Sequence, residues 1–222
     1  MFLSQVILEG RTARVHNLVA DLYRQHQFVY SAFPDKSDRE ESGEERRPSV
    51  LYRLETTDGG ARFVFLVQSE EEPDWMGCGE RHIGVICASH IKEVDPHFSD
   101  GQRLRFRLRA NPTQMRLVAP TERKGYKRVG LYKEEEQRDW LARCGERLGF
   151  RTESVSIIPK GVLTGRKPAS QEGARGNAVQ CLMADFDGSL TVTNAETFAE
   201  TYRTGAGRGK AWGCGLLSVA RL

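Results

Sequence analysis

The chain has 222 residues, of which 39% are hydrophobic and 28% charged, and its 33 Lys and Arg against 30 Asp and Glu give a formal net charge of +3. This apolar fraction is enough for one large or two small packed domains and excludes wholesale disorder. No apolar run approaches the ~20 residues of a membrane span, and the first residues lack the basic flank of a secretory signal. Five widely spaced cysteines argue against a disulfide framework, so we predict a cytoplasmic protein with reduced thiols.

The apolar periodicity of the first half predicts strands, one long helix and a charged loop. A Thr57-Asp58-Gly59-Gly60 sequence between two strand-like runs is typical of a hairpin turn. The predicted elements are, in chain order, a strand at 2–8, a helix at 11–29, a surface loop at 35–48, strands at 50–56 and 62–68, an irregular acidic stretch at 69–82 and a strand at 82–89.

The second half begins with a strand whose residues alternate strictly. Residues 103–110 read RLRFRLRA, so the leucines and the phenylalanine are predicted to face inward and four arginines outward. The other predicted elements are a linker at 95–102, a basic stretch at 124–131, a helix at 134–148 stopped by Gly149, strands at 152–163 and 178–192 around a basic loop, a helix at 195–203 capped by Asn194 and a strand at 215–220. This pattern favours two α+β domains, at 1–94 and 102–222, over one wound parallel sheet.

The charge is unevenly distributed between these halves. Residues 1–96 carry 11 Lys and Arg against 17 Asp and Glu, a balance of −6, whereas residues 97–222 carry 22 against 13, a balance of +9. Clustered cations attract a polyanion, and its counterions are released when it binds. We therefore expect a polyanionic partner to contact mainly the second half of the chain.

A glycine-rich segment at 205–215 is the strongest local signal. Glycines let a backbone lie close to a ligand and present N–H groups to an anion, and two basic residues stand among them. The order helix, glycines, strand is the reverse of a dinucleotide-binding fingerprint, and no Lys-Ser/Thr pair closes a Walker loop. The segment consists of Gly205, Ala206, Gly207, Arg208, Gly209, Lys210, Ala211, Trp212, Gly213, Cys214 and Gly215.

This segment has the form G-h-G-x₅-G-h-G, where h is hydrophobic, and it resembles the C-terminal glycine-rich loop of the RAMP superfamily of CRISPR-associated RNA-binding proteins. The string KAWGCGLLSVA (210–220) resembles the end of the CasE family in particular, with Trp212 where the family has Phe. Further similarities are the opening MFLSQVIL, the Tyr-x-x-His at 23–26 followed by Phe33-Pro34, FRLRANPT (106–113), KRVGL (127–131) and Trp140-Leu141.

The resemblance implies two tandem ferredoxin-like (RAMP/RRM-like) domains. It also implies metal-independent cutting of a CRISPR repeat transcript at the base of its hairpin, which leaves a 2′,3′-cyclic phosphate and a 5′-hydroxyl. The implied partners are the repeat hairpin RNA and other subunits of the Cascade complex, to which the protein would stay bound with its product. We predict no cofactor, no metal, no membrane association and a monomer when the protein is alone.

Tyr23 and His26 are three residues apart and share one face if they lie on a helix. Cleavage by a 2′-hydroxyl requires one proton to be removed and another to be given to the leaving 5′-oxygen, and an imidazole with an ordinary pKa of ~6.5 can do either. A phenol can orient the phosphate. Spacing alone also fits a core-edge histidine that continues the Leu18 and Leu22 stripe; the resemblance favours the catalytic role, with acid and base functions left open.

We predict that RNA is held by basic side chains of the second half. The loop at 160–177 is suited to the phosphates of an RNA stem, since duplex RNA is recognised mainly by shape and backbone. The predicted RNA-binding residues are Arg105, Lys127, Arg128, Lys160, Arg166, Lys167, Arg175, Arg208 and Lys210, with the loop glycines Gly205, Gly207, Gly209, Gly213 and Gly215.

Three other interpretations compete with this one. Cys78, His82, Cys87 and His90 are zinc-type ligands, although their spacing matches no standard finger and Cys87 is expected to face inward. A non-catalytic RNA-binding subunit of the same superfamily would keep the glycines and the basic half without needing a Tyr23/His26 pair. A small-molecule enzyme on the same scaffold would leave the charge asymmetry unexplained.

Overall fold

The computed structural model describes residues 1–34, 49–82, 85–118, 125–168 and 176–222. The chain forms two compact units that are discontinuous in sequence. The first contains Met1–Pro96, Leu163–Cys181 and Gly209–Leu216, and the second contains His97–Val162, Leu182–Arg208 and Leu217–Leu222. The boundary after residue 96 falls between the domains predicted at 1–94 and 102–222, and the two later segments of the first unit lie in the range predicted as the second domain.

The first unit is built on a four-stranded sheet with the strand order β2-β3-β1-β4. Its strands pair antiparallel and its helices cover one face, where Val6, Phe28 and Phe65 are fully buried in a single core. This order and the alternation with helices are those of a ferredoxin-like fold. The elements are β1 (Phe2–Glu9), α1 (Ala13–Val19), α2 (Leu22–Tyr30), β2 (Val50–Thr57), β3 (Arg62–Ser69), α3 (Trp75–Arg81) and β4 (Ile86–Glu93).

The single helix predicted at 11–29 is wrong, because the chain forms two helices there. Asp21 takes an extended conformation and caps α2, its Oδ1 accepting from the backbone N–H groups of Tyr23 at 2.8 Å and Arg24 at 3.0 Å. An aspartate in this position stabilises a new helix start. The capped break therefore sets where α2 begins and which side chains its faces carry.

Two further predictions for the first unit need correction. The stretch predicted to be irregular contains the short helix α3, which Asp74 caps by accepting a hydrogen bond from the N–H of Gly77. The following strand begins at Ile86 and runs to Glu93, later than the predicted 82–89. The predicted loop at 35–48 lies outside the described residues.

The second unit repeats the same topology. Its sheet has the order β10-β5-β9-β8, with the β6–β7 hairpin as an additional two-stranded sheet, and Leu108, Phe186 and Phe198 form its fully buried centre. The α+β fold with two ferredoxin-like units is thus confirmed. The elements are β5 (Arg103–Ala110), β6 (Thr113–Val118), β7 (Gly125–Gly130), α4 (Glu134–Leu148), β8 (Phe150–Arg166), β9 (Ala178–Val192), α5 (Ala195–Thr204) and β10 (Leu217–Arg221). No helix within the described ranges has the length and hydrophobicity needed to cross a bilayer.

Strand β5 has the predicted alternation, but its arginines are not one exposed row. Arg103 and Arg105 are exposed, whereas Arg107 pairs with Asp187 of β9 through Nε at 2.6 Å. Arg109 is buried and makes a two-pronged pair with Asp185, at 2.7 Å and 2.9 Å. Acidic residues of the neighbouring strand therefore neutralise half of the predicted basic strip.

Candidate active site

Helix α2 carries three ring side chains that follow one another along one face. Tyr23 and His26 have ring centroids 6.5 Å apart, and His26 and Tyr30 have centroids 4.2 Å apart. All three side chains are half-buried, so each packs on one side while part of it stays accessible. The spacing of three and four residues on a helix produces this row, as the sequence predicted for Tyr23 and His26.

His26 is held by a backbone carbonyl from the far end of the sequence. Its Nδ1 lies 3.2 Å from the carbonyl oxygen of Ala211, a residue of the glycine-rich segment that belongs to the same unit. A carbonyl oxygen can only accept, so Nδ1 carries the hydrogen of this bond. In the neutral ring the other nitrogen, Nε2, is then the basic one, and in the charged ring Nε2 carries a proton that it can give away.

The same carbonyl accepts a second hydrogen bond, from the hydroxyl of Tyr52 on β2 at 3.1 Å. Burial raises the pKa of Tyr52 well above its usual range, and nearby Cys214, Tyr30 and Cys181 act in the same direction. The phenol therefore stays neutral and remains a donor wherever an imidazole titrates. Tyr52 thus holds the Ala211 carbonyl in place, and this carbonyl in turn orients His26.

The glycine-rich segment reaches His26 through a tight 3-10 turn. The turn spans Lys210–Trp212, and the Trp212 ring stands 5.4 Å from the His26 ring, centroid to centroid. Gly209 and Gly213 on either side both have φ of 81°, a conformation that favours glycine. At Gly213 a Cβ atom would also lie 3.1 Å from the ring of Tyr52. Glycine at these positions lets the turn lie flat against β2 and α2.

The end of β8 contacts the start of α2. The backbone N–H of Arg166 donates to Oδ2 of Asp21 at 3.1 Å, so Asp21 caps the helix and holds the hairpin with its two carboxylate oxygens. A Cβ atom on Gly165 would come within 2.6 Å of the backbone nitrogen of Tyr23, which makes glycine necessary for this close approach. The exposed Arg166 and Lys167 side chains consequently project from a segment seated beside Tyr23.

The predicted RNA-binding residues are divided between the two units. Those in the first unit with Tyr23 and His26 are Arg166, Lys167, Lys210, Gly209, Gly213 and Gly215. Those in the second unit are Arg105, Lys127, Arg128, Lys160, Arg208, Gly205 and Gly207. Arg175 lies outside the described residues.

The basic residues of the second unit differ in how their charge is compensated. Arg105, Lys127 and Arg208 are exposed. Arg128 is also exposed and donates to the hydroxyl of Thr113 at 3.3 Å. Lys160 is partly neutralised, because its Nζ lies 3.3 Å from Oδ2 of the buried Asp185.

The four residues considered as zinc ligands do not form a metal site. Cys78 is fully buried, and burial raises the pKa of its thiol, which disfavours the thiolate that zinc requires. Cys87 is exposed on β4, contrary to the inward orientation that the sequence suggested. Within the described ranges, no three His, Cys, Asp or Glu side chains come together as metal ligands.

Sequence reasoning missed three parts of the site: Asp21, Tyr52 and the carbonyl of Ala211. Asp21 could have been found, because an aspartate followed by a new apolar period is a helix-start signal. Tyr52 has the ordinary pattern of a buried strand residue, and a backbone carbonyl has no sequence signature. The roles of Tyr52 and of the Ala211 carbonyl depend on their mutual hydrogen bond, which joins residues 159 positions apart in the sequence.

Two ferredoxin-like units and a glycine-rich segment placed beside a histidine define a RAMP-type protein. The profile of the family described as "CRISPR associated protein" matches residues 1–221. The chain belongs to this family and, within it, to the CasE group that the sequence motifs indicated.

Individual relatives are similar in sequence to this chain over 99–100% of its length. A Thermus thermophilus protein named CRISPR-associated endoribonuclease Cse3 is 37% identical over 226 residues, which covers 99% of this chain and 100% of that protein. The Escherichia coli protein named CRISPR system Cascade subunit CasE is 29% identical over 228 residues, which covers 100% of both. A solved structure of Thermus thermophilus Cse3 bound to an RNA representing a pre-cleavage complex is 34% identical, with a TM-score of 0.74 over 99% of this chain and 98% of that one.

Proposed function

We propose that the chain is a CRISPR RNA-processing endoribonuclease that cuts repeat transcripts at the base of the repeat hairpin without a metal ion and stays bound to its product in a Cascade complex. The observation that carries the proposal is the hydrogen bond from Nδ1 of His26 to the Ala211 carbonyl. It leaves Nε2 as the nitrogen that can exchange a proton with a substrate. Full-length relatives named as an endoribonuclease and as a Cascade subunit support the choice of reaction and assembly.

The proposed reaction is an internal transfer of the phosphoryl group. The 2′-oxygen bonds to the phosphorus, the bond from phosphorus to the 5′-oxygen breaks, and no water is consumed. One proton leaves the 2′-hydroxyl and one reaches the 5′-oxygen, so the products carry a 2′,3′-cyclic phosphate and a 5′-hydroxyl. Nε2 of His26 serves one of these transfers, and the Tyr23 hydroxyl orients the phosphate or stabilises its developing charge.

The RNA is held by cations beside and beyond this centre. Arg166, Lys167 and Lys210 are placed within the unit that contains His26, and the glycine N–H groups of the turn are suited to a phosphate. The remaining predicted contacts are Arg105, Lys127, Arg128, Lys160, Arg175 and Arg208. Because the substrate is a freshly made transcript, we expect the protein to act in the cytoplasm. It is a monomer until it joins other Cascade subunits.

The test is to incubate the purified chain with a repeat-hairpin RNA in EDTA and to map the new ends. We expect one cut at the base of the hairpin, with a 2′,3′-cyclic phosphate on the upstream fragment and a 5′-hydroxyl on the downstream fragment. Cleavage only after Mg²⁺ is added, or 5′-phosphate ends, would contradict the proposal. An RNA with a 2′-deoxy nucleotide at the cut is the matched control and should stay intact.

The salt dependence of RNA binding tests the basic loop. Replacing Arg166 and Lys167 together by alanine should weaken hairpin binding and reduce the slope of log affinity against log salt by about 0.7–0.9 for each phosphate that the variant no longer neutralises. Lys160→Ala should change the slope less, because that charge is already paired with Asp185. Equal slopes for the wild type and the double variant would show that neither residue contacts the RNA phosphates.

A further inference from the structure

Two adjacent residues of β2 hold the glycine-rich segment from opposite faces of the first sheet. Neighbouring residues of a strand point to opposite faces. The Tyr52 hydroxyl bonds the Ala211 carbonyl on the helix side, and Nη1 of Arg53 donates to the Leu216 carbonyl at 3.2 Å on the other side. Because β2 is the outermost strand at its side of the sheet, the segment from Ala211 to Leu216 passes around the sheet edge between these two anchors.

Both anchors are rigid. The Tyr52 ring is fully buried and packs against Phe65 with centroids 5.9 Å apart. The Arg53 side chain is only 2% exposed and is oriented by Glu55, whose Oε1 accepts from Nε at 2.6 Å. Ordered partners of this kind fix a flexible backbone at little additional entropic cost, and glycines make this backbone flexible.

The Ala211 carbonyl links this clamp to His26. A carbonyl oxygen has two lone pairs, so it can accept from the Tyr52 hydroxyl and from Nδ1 of His26 together. If the carbonyl moves, the neutral imidazole loses the bond that keeps its hydrogen on Nδ1. The tautomer with hydrogen on Nε2 then gains population, and its Nε2 cannot accept a proton.

We propose that Tyr52, with Arg53 as the second anchor, is a positioning residue for the cleavage proposed above: its hydroxyl holds the Ala211 carbonyl where that carbonyl fixes the tautomer of His26. Tyr52 does not contact the RNA. It acts through the backbone, so its removal should slow the chemical step without weakening substrate binding. This inference depends on the proposed function only for its effect on the reaction rate.

The kinetic test is Tyr52→Phe, which removes one hydroxyl and keeps the packed ring. We expect the single-turnover rate constant for repeat-hairpin cleavage to fall about tenfold, which corresponds to the loss of one net hydrogen bond, while the Kd for RNA changes less than about twofold. Tyr202→Phe is the matched control, since Tyr202 is a buried tyrosine of the second unit, and it should cut at the wild-type rate. An unchanged single-turnover rate constant for Tyr52→Phe would overturn the proposal.

The structural test needs no RNA. In ¹⁵N NMR spectra at alkaline pH, His26 of the wild type should show the Nδ1–H tautomer, and Tyr52→Phe should shift it towards Nε2–H. A fall in the single-turnover rate constant with no change of tautomer would overturn the proposal, because the hydroxyl would then act in another way. If Tyr52→Phe does not fold, Arg53→Lys, which keeps the charge but shortens the donor, serves for both measurements with the same expected directions. If the wild type does not cut RNA, the proposed function fails, yet the tautomer measurement still decides the positioning role.

Discussion

Replacing His26 by alanine should slow cleavage of a repeat hairpin by about 10²–10⁴-fold while the protein still binds the hairpin. The imidazole is the group on this face whose ordinary pKa lies near neutrality, so its loss removes proton transfer at Nε2. The basic residues expected to grip the RNA are untouched. Single-turnover rates, measured in EDTA and again in Mg²⁺, together with the Kd for the uncut hairpin, test this result.

Alanine also removes the bond to Ala211, so a second variant separates proton transfer from positioning. His26→Asn keeps an amide N–H donor near Nδ1 but cannot exchange a proton near neutral pH. We expect it to be as inactive as His26→Ala. His90→Ala, which removes an exposed histidine of β4, is the control and should retain full activity. Wild-type cleavage rates in either His26 variant would show that His26 is not catalytic. If the wild-type protein binds the hairpin but never cuts it, the interpretation as a non-catalytic RNA-binding subunit is favoured.

Replacing Asp185 by asparagine should lower the free energy of unfolding by about 3–5 kcal/mol, because it leaves the buried Arg109 without its counter-charge. The pair is bidentate and both side chains are less than a tenth exposed. Asp187→Asn is a matched control two residues along the same strand. Its partner, Arg107, is 49% exposed, so this change should cost only about 0.2–1 kcal/mol. Urea unfolding at neutral pH measures both, and equal losses would contradict the prediction.

The same pair predicts how stability depends on pH. Burial alone would raise the pKa of Asp185, but its hydrogen bond and charge interaction with Arg109, and the charge of Lys160, outweigh burial and lower it. The pair's contribution is therefore complete above the unfolded pKa of about 3.9 and is lost as the pH falls through the lower folded value. Asp185→Asn should flatten the loss of stability in this acid range.

Much of the fold could be predicted because local patterns decided it. The alternation of Arg103–Ala110 predicted a strand, and β5 has those bounds. Gly149 was predicted to stop α4, and its φ of 78° shows why a glycine stands there. Asn194 caps α5 by accepting from the N–H of Thr197. In each case the signal and the structure it specifies lie within a few residues of one another.

The predictions were wrong where a local pattern was ambiguous or where a residue distant in sequence determined the structure. Apolar spacing continues across residue 21, so only the cap of Asp21 reveals two helices. The arginines of β5 looked equivalent, but Asp185 and Asp187 on β9 form ion pairs with Arg109 and Arg107. At the candidate site, the row of Tyr23 and His26 follows from helical spacing, whereas the carbonyl that orients His26 is 185 residues away.

That separation bears on how the protein is made. During translation the helix with His26 leaves the ribosome long before Ala211 has been added. A nascent chain that has not yet reached the glycine-rich turn therefore has the imidazole but lacks the backbone atom that orients it. The hydrogen bond that orients His26 can therefore form only when synthesis has nearly ended.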